Sequence, residues 1–130
     1  MKTNKNELKI LGSLGEEDAR KYLQKNKGFK FIARNFRTQW GELDLIMEEG
    51  KTVVFVEVKA RVTPSLGSPL EYIDPTKIRH LKKAIDFYLS RKEWEDRSCR
   101  LDAVGLVYEI GTDEGYLLKD IEYVQDLTGW

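Results

Sequence analysis

The chain has 130 residues, 41% hydrophobic and 34% charged, which suits one globular domain with a real core. Its 22 basic and 22 acidic side chains cancel, so an overall basic coat for nucleic acid is excluded and any such surface must be local. One Cys and one His exclude an internal disulfide and a Cys/His zinc site, so a metal, if bound, is held by oxygens.

Met1 to Asn6 is polar and lacks the apolar core of a secretory leader. Residues 8–26 predict a helix, with Leu8, Leu11, Gly15, Ala19, Tyr22 and Leu23 on one face and Gly28 as its stop. Residues 29–34 alternate as a strand. Residues 40–47 and 52–59 are stronger strands, rich in aliphatic and β-branched side chains, with a hairpin turn at Glu48-Glu49-Gly50-Lys51. Residues 61–74 hold Pro64, Gly67, Ser68 and Pro69 and predict a loop. Asp74-Pro75 then supplies an N-cap and a first-turn proline. The helix that follows has Ile78, Leu81, Ala84, Ile85, Tyr88 and Leu89 as its buried stripe.

Residues 101–110 and 116–124 predict two more strands around a turn at 111–115. The order helix, three strands, helix, two strands predicts an α/β fold: residues 1–130 as a single domain with a mixed sheet flanked by helices. The longest aliphatic or aromatic run is the four residues Val53 to Val56, against roughly 20 for a membrane-spanning helix. A cytoplasmic protein is expected, and the single Cys99 fits a reducing compartment.

The informative charges lie beside the most apolar strand. Val53 to Val58 carries Glu57 and is followed by Lys59, and the preceding strand carries Glu42 and Asp44. Charged groups beside a buried strand are costly unless paired or bound to a metal. With Glu48 facing Lys51 across the turn, Asp44 pairs with Phe55, and alternation projects Glu42, Asp44, Glu57 and Lys59 from one face. Asp44 and Glu57 are then diagonal neighbours about 7 Å apart. Their carboxylates and the intervening main chain suit Mg²⁺ or Mn²⁺, which takes carboxylates, waters and phosphate oxygens. Lys59 is placed to orient a water or stabilise phosphoryl charge. Catalysis at such a site is strictly metal-dependent, since bare carboxylates repel phosphate. The competing reading is a cross-strand salt bridge at a solvated sheet edge.

Six ordered blocks extend the pattern: Gly12-x-x-Gly15-Glu16-x-x-Ala19-x-x-Tyr22-Leu23, Asn35-Phe36-Arg37, Gly41-Glu42-Leu43-Asp44-Leu45-Ile46, Phe55-Val56-Glu57-Val58-Lys59-x-Arg61, Gly67-x-Pro69 with Lys77, and Arg100-Leu101-Asp102. Together they resemble the YraN-like family of small bacterial proteins regarded as endonucleases. That family is similar to archaeal Holliday-junction resolvases and shares the restriction-endonuclease-like fold. The resemblance implies metal ligands at Asp44 and Glu57, a catalytic Lys59 and an auxiliary carboxylate at Glu16. It implies a Mg²⁺- or Mn²⁺-dependent endonuclease acting on DNA, branched or damaged, with a homodimer where two coordinated cuts are made. Gln39 stands where relatives usually carry a basic residue.

Several residues keep two readings. Glu16 also fits a capping box with Ser13, and Glu42 fits either support of the metal ligands or a salt bridge to Lys59 or Arg61. Arg61, Lys77 and Arg37 are the candidate nucleic-acid contacts, whereas Arg79, His80, Lys82 and Lys83 fit a solvated helix face. Arg100 and Asp102 are expected to pair, and Trp40 fits either a core position or a base-stacking one. Cys99 has no neighbouring base to mark it as a nucleophile. The alternative function is a non-catalytic nucleic-acid or protein interaction module on the same fold.

Overall fold

A computed structural model describes residues 5–63, 67–111, 113 and 115–130. The elements are α1 (Lys5–Lys27), β1 (Lys30–Thr38), β2 (Gly41–Glu49), β3 (Thr52–Val62), a 3-10 turn (Pro69–Tyr72), α2 (Pro75–Lys92), β4 (Cys99–Ile110) and β5 (Tyr116–Val124). The sheet runs β1-β2-β3-β4-β5, with β3 and β4 parallel and every other neighbouring pair antiparallel. The parallel pair is the one joined by a helix, because parallel neighbours need a long crossover while hairpins suffice elsewhere. This is the α/β, mixed-sheet architecture expected from the sequence.

Each helix covers one face of the sheet. Leu11, Ala19 and Leu23 of α1 pack with Leu45, Met47, Val54, Val56, Val104 and Leu106. Leu81, Ala84, Ile85 and Tyr88 of α2 pack with Ile46, Val53, Phe55 and Leu101 on the other face. Gly15 brings α1 tight against the sheet, since a Cβ there would meet the Ala60 Cβ at 3.0 Å. Asp74 caps α2 by accepting the Lys77 N–H at 2.8 Å, with Pro75 in the first turn.

Four local expectations change. Leu8 is 56% exposed, because all of residues 5–10 project beyond the sheet before the first buried side chain, Leu11. The β2–β3 turn is Gly50-Lys51, with Glu49 opposite Thr52, two positions from the expected register. Gly50 takes φ +58° at its first position, as a tight two-residue hairpin of the II′ kind requires. The 61–74 segment is less irregular than its prolines and glycine suggest: β3 runs on to Val62, and Ser68 caps a 3-10 turn at Pro69–Tyr72. That turn seats Leu70 against β4, where a Cβ on Gly105 would lie 3.0 Å from the Leu70 Cγ. Finally, α1 starts before Ser13, so Glu16 sits in the helix interior and forms no capping box. Pro64 in the expected loop, and Thr112 and Glu114 in the expected 111–115 turn, lie outside the described residues. Among the described residues no helix is long and apolar enough to cross a membrane.

Candidate metal centre

The candidate site lies where two strands part. β2 pairs with β1 as far as Gly41, but its pairing with β3 ends at Leu45 and Val56. β3 continues beyond that point against β4, to Val62 and Tyr108. The period-two pattern of β2 breaks at the same place: Leu43 and Ile46 join the α2-side core, while Leu45 and Met47 join the α1-side core. Asp44 occupies the fork. Its Oδ2 accepts the Val58 N–H at 2.8 Å, so a carboxylate takes the place of a strand partner.

Carboxylates converge there from three elements. One oxygen each from Glu16 of α1 and from Glu42 and Asp44 of β2 lie within 4.8 Å of one another. Glu57 on β3, only 4% exposed, completes the acidic group. The Asp44 carboxyl is pushed up to about 9, first by burial, then by a hydrogen bond to Glu57 and the charges of Glu57 and Glu16, against the opposing Val58 N–H bond. The Glu57 Oε2 is buried without a hydrogen bond, and Lys77 Nζ stands 3.6 Å from it. Asn35, held at φ +55°, donates its Nδ2 to Glu16 at 2.9 Å and to Glu42 at 2.8 Å. Arg34 pairs with Glu16 at 3.3 Å, and Arg37 with Glu42 at 3.1 Å.

The structure therefore brings Asp44, Glu57 and Glu16 together and adds Glu42. Lys59 follows two positions after Glu57 on β3, half-buried, and alternation points it to the same face. Arg61 lies two positions further, at the end of the apolar strand. Lys77 is the counter-ion of Glu57, and Arg37, 85% exposed, is the partner that Glu42 takes. Asn35 was given no role from the sequence, although it opens the block Asn35-Phe36-Arg37 and is an amide residue inside a strand, where Asn is disfavoured. A cleft of about 360 Å³ opens over Glu16 and Glu42, lined also by Lys9, Gly12, Ser13, Asn35 and Arg37.

Arg100 and Asp102 do pair, at 3.0 Å, and belong to a separate network. Fully buried Asp102 also accepts the Tyr123 hydroxyl at 2.6 Å and the Asp126 N–H at 2.9 Å, fastening β5 and the segment after it to β4. On α2, His80, Lys82 and Lys83 are exposed, and Lys82 pairs with Asp86 at 3.6 Å.

The donor set fits a hard divalent cation. Carboxylate oxygens converge from different elements, one of them is buried and short of a hydrogen bond, and the burial that chiefly raises the Asp44 carboxyl, with the charges of Glu57 and Glu16 adding to it, is what a cation offsets.

Comparison with known proteins places this geometry in a family. The family model described as "Uncharacterised protein family UPF0102" matches residues 15–106. A UPF0102 protein of Syntrophomonas wolfei is 46% identical over 101 residues, covering 78% of this chain and 87% of that protein. One from Geotalea daltonii is 35% identical over 122 residues, covering 94% and 91%. Among solved structures, SfsA of Pyrococcus furiosus in complex with Ca²⁺ aligns with a TM-score of 0.41 at 18% identity. That alignment covers 92% of this chain, which spans 64% of the length of SfsA. With about seven tenths of its length matched by the family model and relatives of this similarity, the chain belongs to the uncharacterised protein family UPF0102.

Proposed function

We infer that the protein is a Mg²⁺- or Mn²⁺-dependent endonuclease that hydrolyses DNA phosphodiesters. The observation that carries this is the acidic group at the β2–β3 fork, with Lys59 two positions beyond its most buried member. Asp44, Glu57 and Glu16 are the metal ligands in this reading, and Glu42, steadied by Asn35 and Arg37, supports them. A bound ion supplies charge neutralisation at the phosphodiester and a more acidic water. The chain's own residues do the rest. Lys59 holds an ammonium against the phosphoryl oxygens or the attacking water, while Arg61, Lys77 and Arg37 draw the phosphate backbone toward a centre that would otherwise repel it. Branched or damaged DNA is the proposed substrate class, and a twofold dimer is the assembly that two coordinated cuts would need.

The test is cleavage of linear duplex, single strand, flap and four-way junction DNA in Mn²⁺ or EDTA, with Lys59→Ala alongside. Metal-dependent cutting that disappears in Lys59→Ala, while Mn²⁺ binding persists, supports the enzyme. Folded wild type that cuts nothing, or cutting that survives in Lys59→Ala, overturns it.

One observation favours the second reading, a non-catalytic interaction module. Each carboxylate already has a partner in the chain: Arg34 and Asn35 for Glu16, Arg37 and Asn35 for Glu42, Lys77 for Glu57, and the Val58 N–H for Asp44. Such a module takes up no Mn²⁺, and Asp44→Ala and Glu57→Ala leave its metal response unchanged.

A further inference from the structure

The tip of the β1–β2 hairpin carries an aromatic surface that neither core absorbs. Thr38 fixes the turn: its hydroxyl donates to the Gly41 carbonyl at 2.8 Å and accepts the Trp40 N–H at 3.1 Å. Trp40 is thereby set against Phe87 of α2, with ring centroids 5.9 Å apart at 61°. Phe36 meets Phe87 on the other side at 6.2 Å. Trp40 and Phe87 are half-buried and stand outside both core clusters. They wall a cleft of about 620 Å³ with Phe36, Arg37, Gln39 and Arg91. The charged residues lining it are both arginines, and the Arg91 guanidinium lies 5.6 Å from the centre of the Phe87 ring.

Arg37 lines both this cleft and the one over Glu16 and Glu42. An aromatic floor with two arginines in its lining matches a nucleotide, whose base has an apolar face and whose phosphate is anionic. A base inside a duplex already has both faces stacked and cannot enter, whereas an unpaired base has them to offer. A protein segment would use the apolar walls equally well, but it would gain nothing general from two lining arginines, one of which, Arg37, also lines the cleft over Glu16 and Glu42.

We propose that this cleft binds an unpaired base of a DNA strand, with Arg37 and Arg91 on the adjoining phosphates. The proposal deepens the nuclease reading and rests on it for the nearby scissile strand. It assigns the selectivity to DNA with unpaired nucleotides: single strands, flaps, bulges and open junctions. It also gives a reason for the aromatic at Trp40, which packs with neither core.

The experiment uses the full chain and two probes, a duplex with a single bulged 2-aminopurine and the same duplex fully paired. Binding is followed by 2-aminopurine fluorescence and by anisotropy of an end label, in EDTA and in Ca²⁺. The bulged probe binds more tightly than the paired one and its 2-aminopurine is quenched. Trp40→Leu loses the quenching and weakens bulge binding on the order of tenfold, while Trp40→Phe keeps most of it. Should Trp40→Leu fail to fold by its thermal transition, Arg91→Gln at an exposed position serves in its place, weakening bulge binding severalfold. Equal affinity for both probes, absence of bulge binding in either condition, or wild-type quenching in folded Trp40→Leu overturns the proposal. The two readings fail separately. Metal-dependent cutting unchanged by Trp40→Leu removes the base cleft and leaves the nuclease, whereas Trp40-dependent bulge binding without cutting of any DNA keeps the cleft and removes the nuclease.

Discussion

Replacing Asp44 with Asn is expected to stabilise the metal-free protein while removing its response to metal. In the folded chain the Asp44 carboxyl titrates at about 9, against 3.8 for an unperturbed group. Between those values the folded state keeps a proton that the unfolded state has released. The contribution of this group to stability is therefore full below about pH 4 and is lost as pH rises toward 9. At pH 7 the three-unit gap corresponds to a ceiling of about 4 kcal/mol, at 1.36 kcal/mol per unit. Asp44 is still partly exposed, and solvent screening cuts that figure to about 1–2 kcal/mol, or roughly 3–8 °C in Tm. An Asn carbonyl can still accept the Val58 N–H, so little is lost in exchange. The assay is thermal or urea denaturation of wild type and Asp44→Asn in EDTA at pH 5, 7 and 9, repeated with Mn²⁺. In EDTA the variant gains on the wild type as pH rises. With Mn²⁺ the wild type gains about 2.7 kcal/mol at a hundred times Kd, and the variant does not move. Parallel pH profiles, or equal Mn²⁺ shifts, would refute the account of the fork as a strained acidic site built for a cation.

Three other substitutions probe the frame around it. Gly15→Val drives a branched side chain into Ala60 and costs about 1–3 kcal/mol by denaturation; because Glu16 is the next residue, Mn²⁺ affinity measured by calorimetry falls as well. Lys77→Met leaves the buried Glu57 without its cation, so the metal-free protein melts earlier while Mn²⁺, no longer competing with an ammonium, binds severalfold more tightly. Asp102→Ala leaves Arg100 with Glu49 as its carboxylate partner but strands the Tyr123 hydroxyl and the Asp126 N–H and costs about 2–4 kcal/mol in urea titrations, yet Mn²⁺ binding by the folded fraction is unchanged.

Periodicity made the element order and both helix stripes legible, because a helix packed on a sheet must show its apolar side at three-to-four spacing. Leu11, Gly15, Ala19 and Leu23 did so, as did Leu81, Ala84, Ile85, Tyr88 and Leu89. The same logic overreached at Leu8, since spacing cannot tell where a helix runs out of sheet to cover. The 61–74 segment was misjudged for the opposite reason. Its prolines and glycine are local breakers, but pairing with β4 holds β3 straight to Val62, and a missing Cβ on Gly105 makes room for the 3-10 turn. Both outcomes depend on a strand some forty residues downstream, which a local reading does not contain.

The site was legible for a narrower reason. Side chains alternate with period two, so placing the hairpin turn one residue early shifted the pairing by two and kept Asp44 and Glu57 near one another; an odd shift would have put them on opposite faces. The meeting of Asp44 with Glu57 thus survived an incorrect register. What alternation cannot express is the fork. Where β2 leaves β3, strand geometry stops dictating which side chains meet, and acids from α1, β2 and β3 share one place only because the ladder between β2 and β3 has ended. The loss of pairing is also what frees the Val58 N–H to hold Asp44, while Asn35 on β1 bridges Glu16 to Glu42. A continuous ladder would be the more stable sheet. Its interruption at this one point, where acids from three elements meet, is a local cost that the proposed cation site would account for.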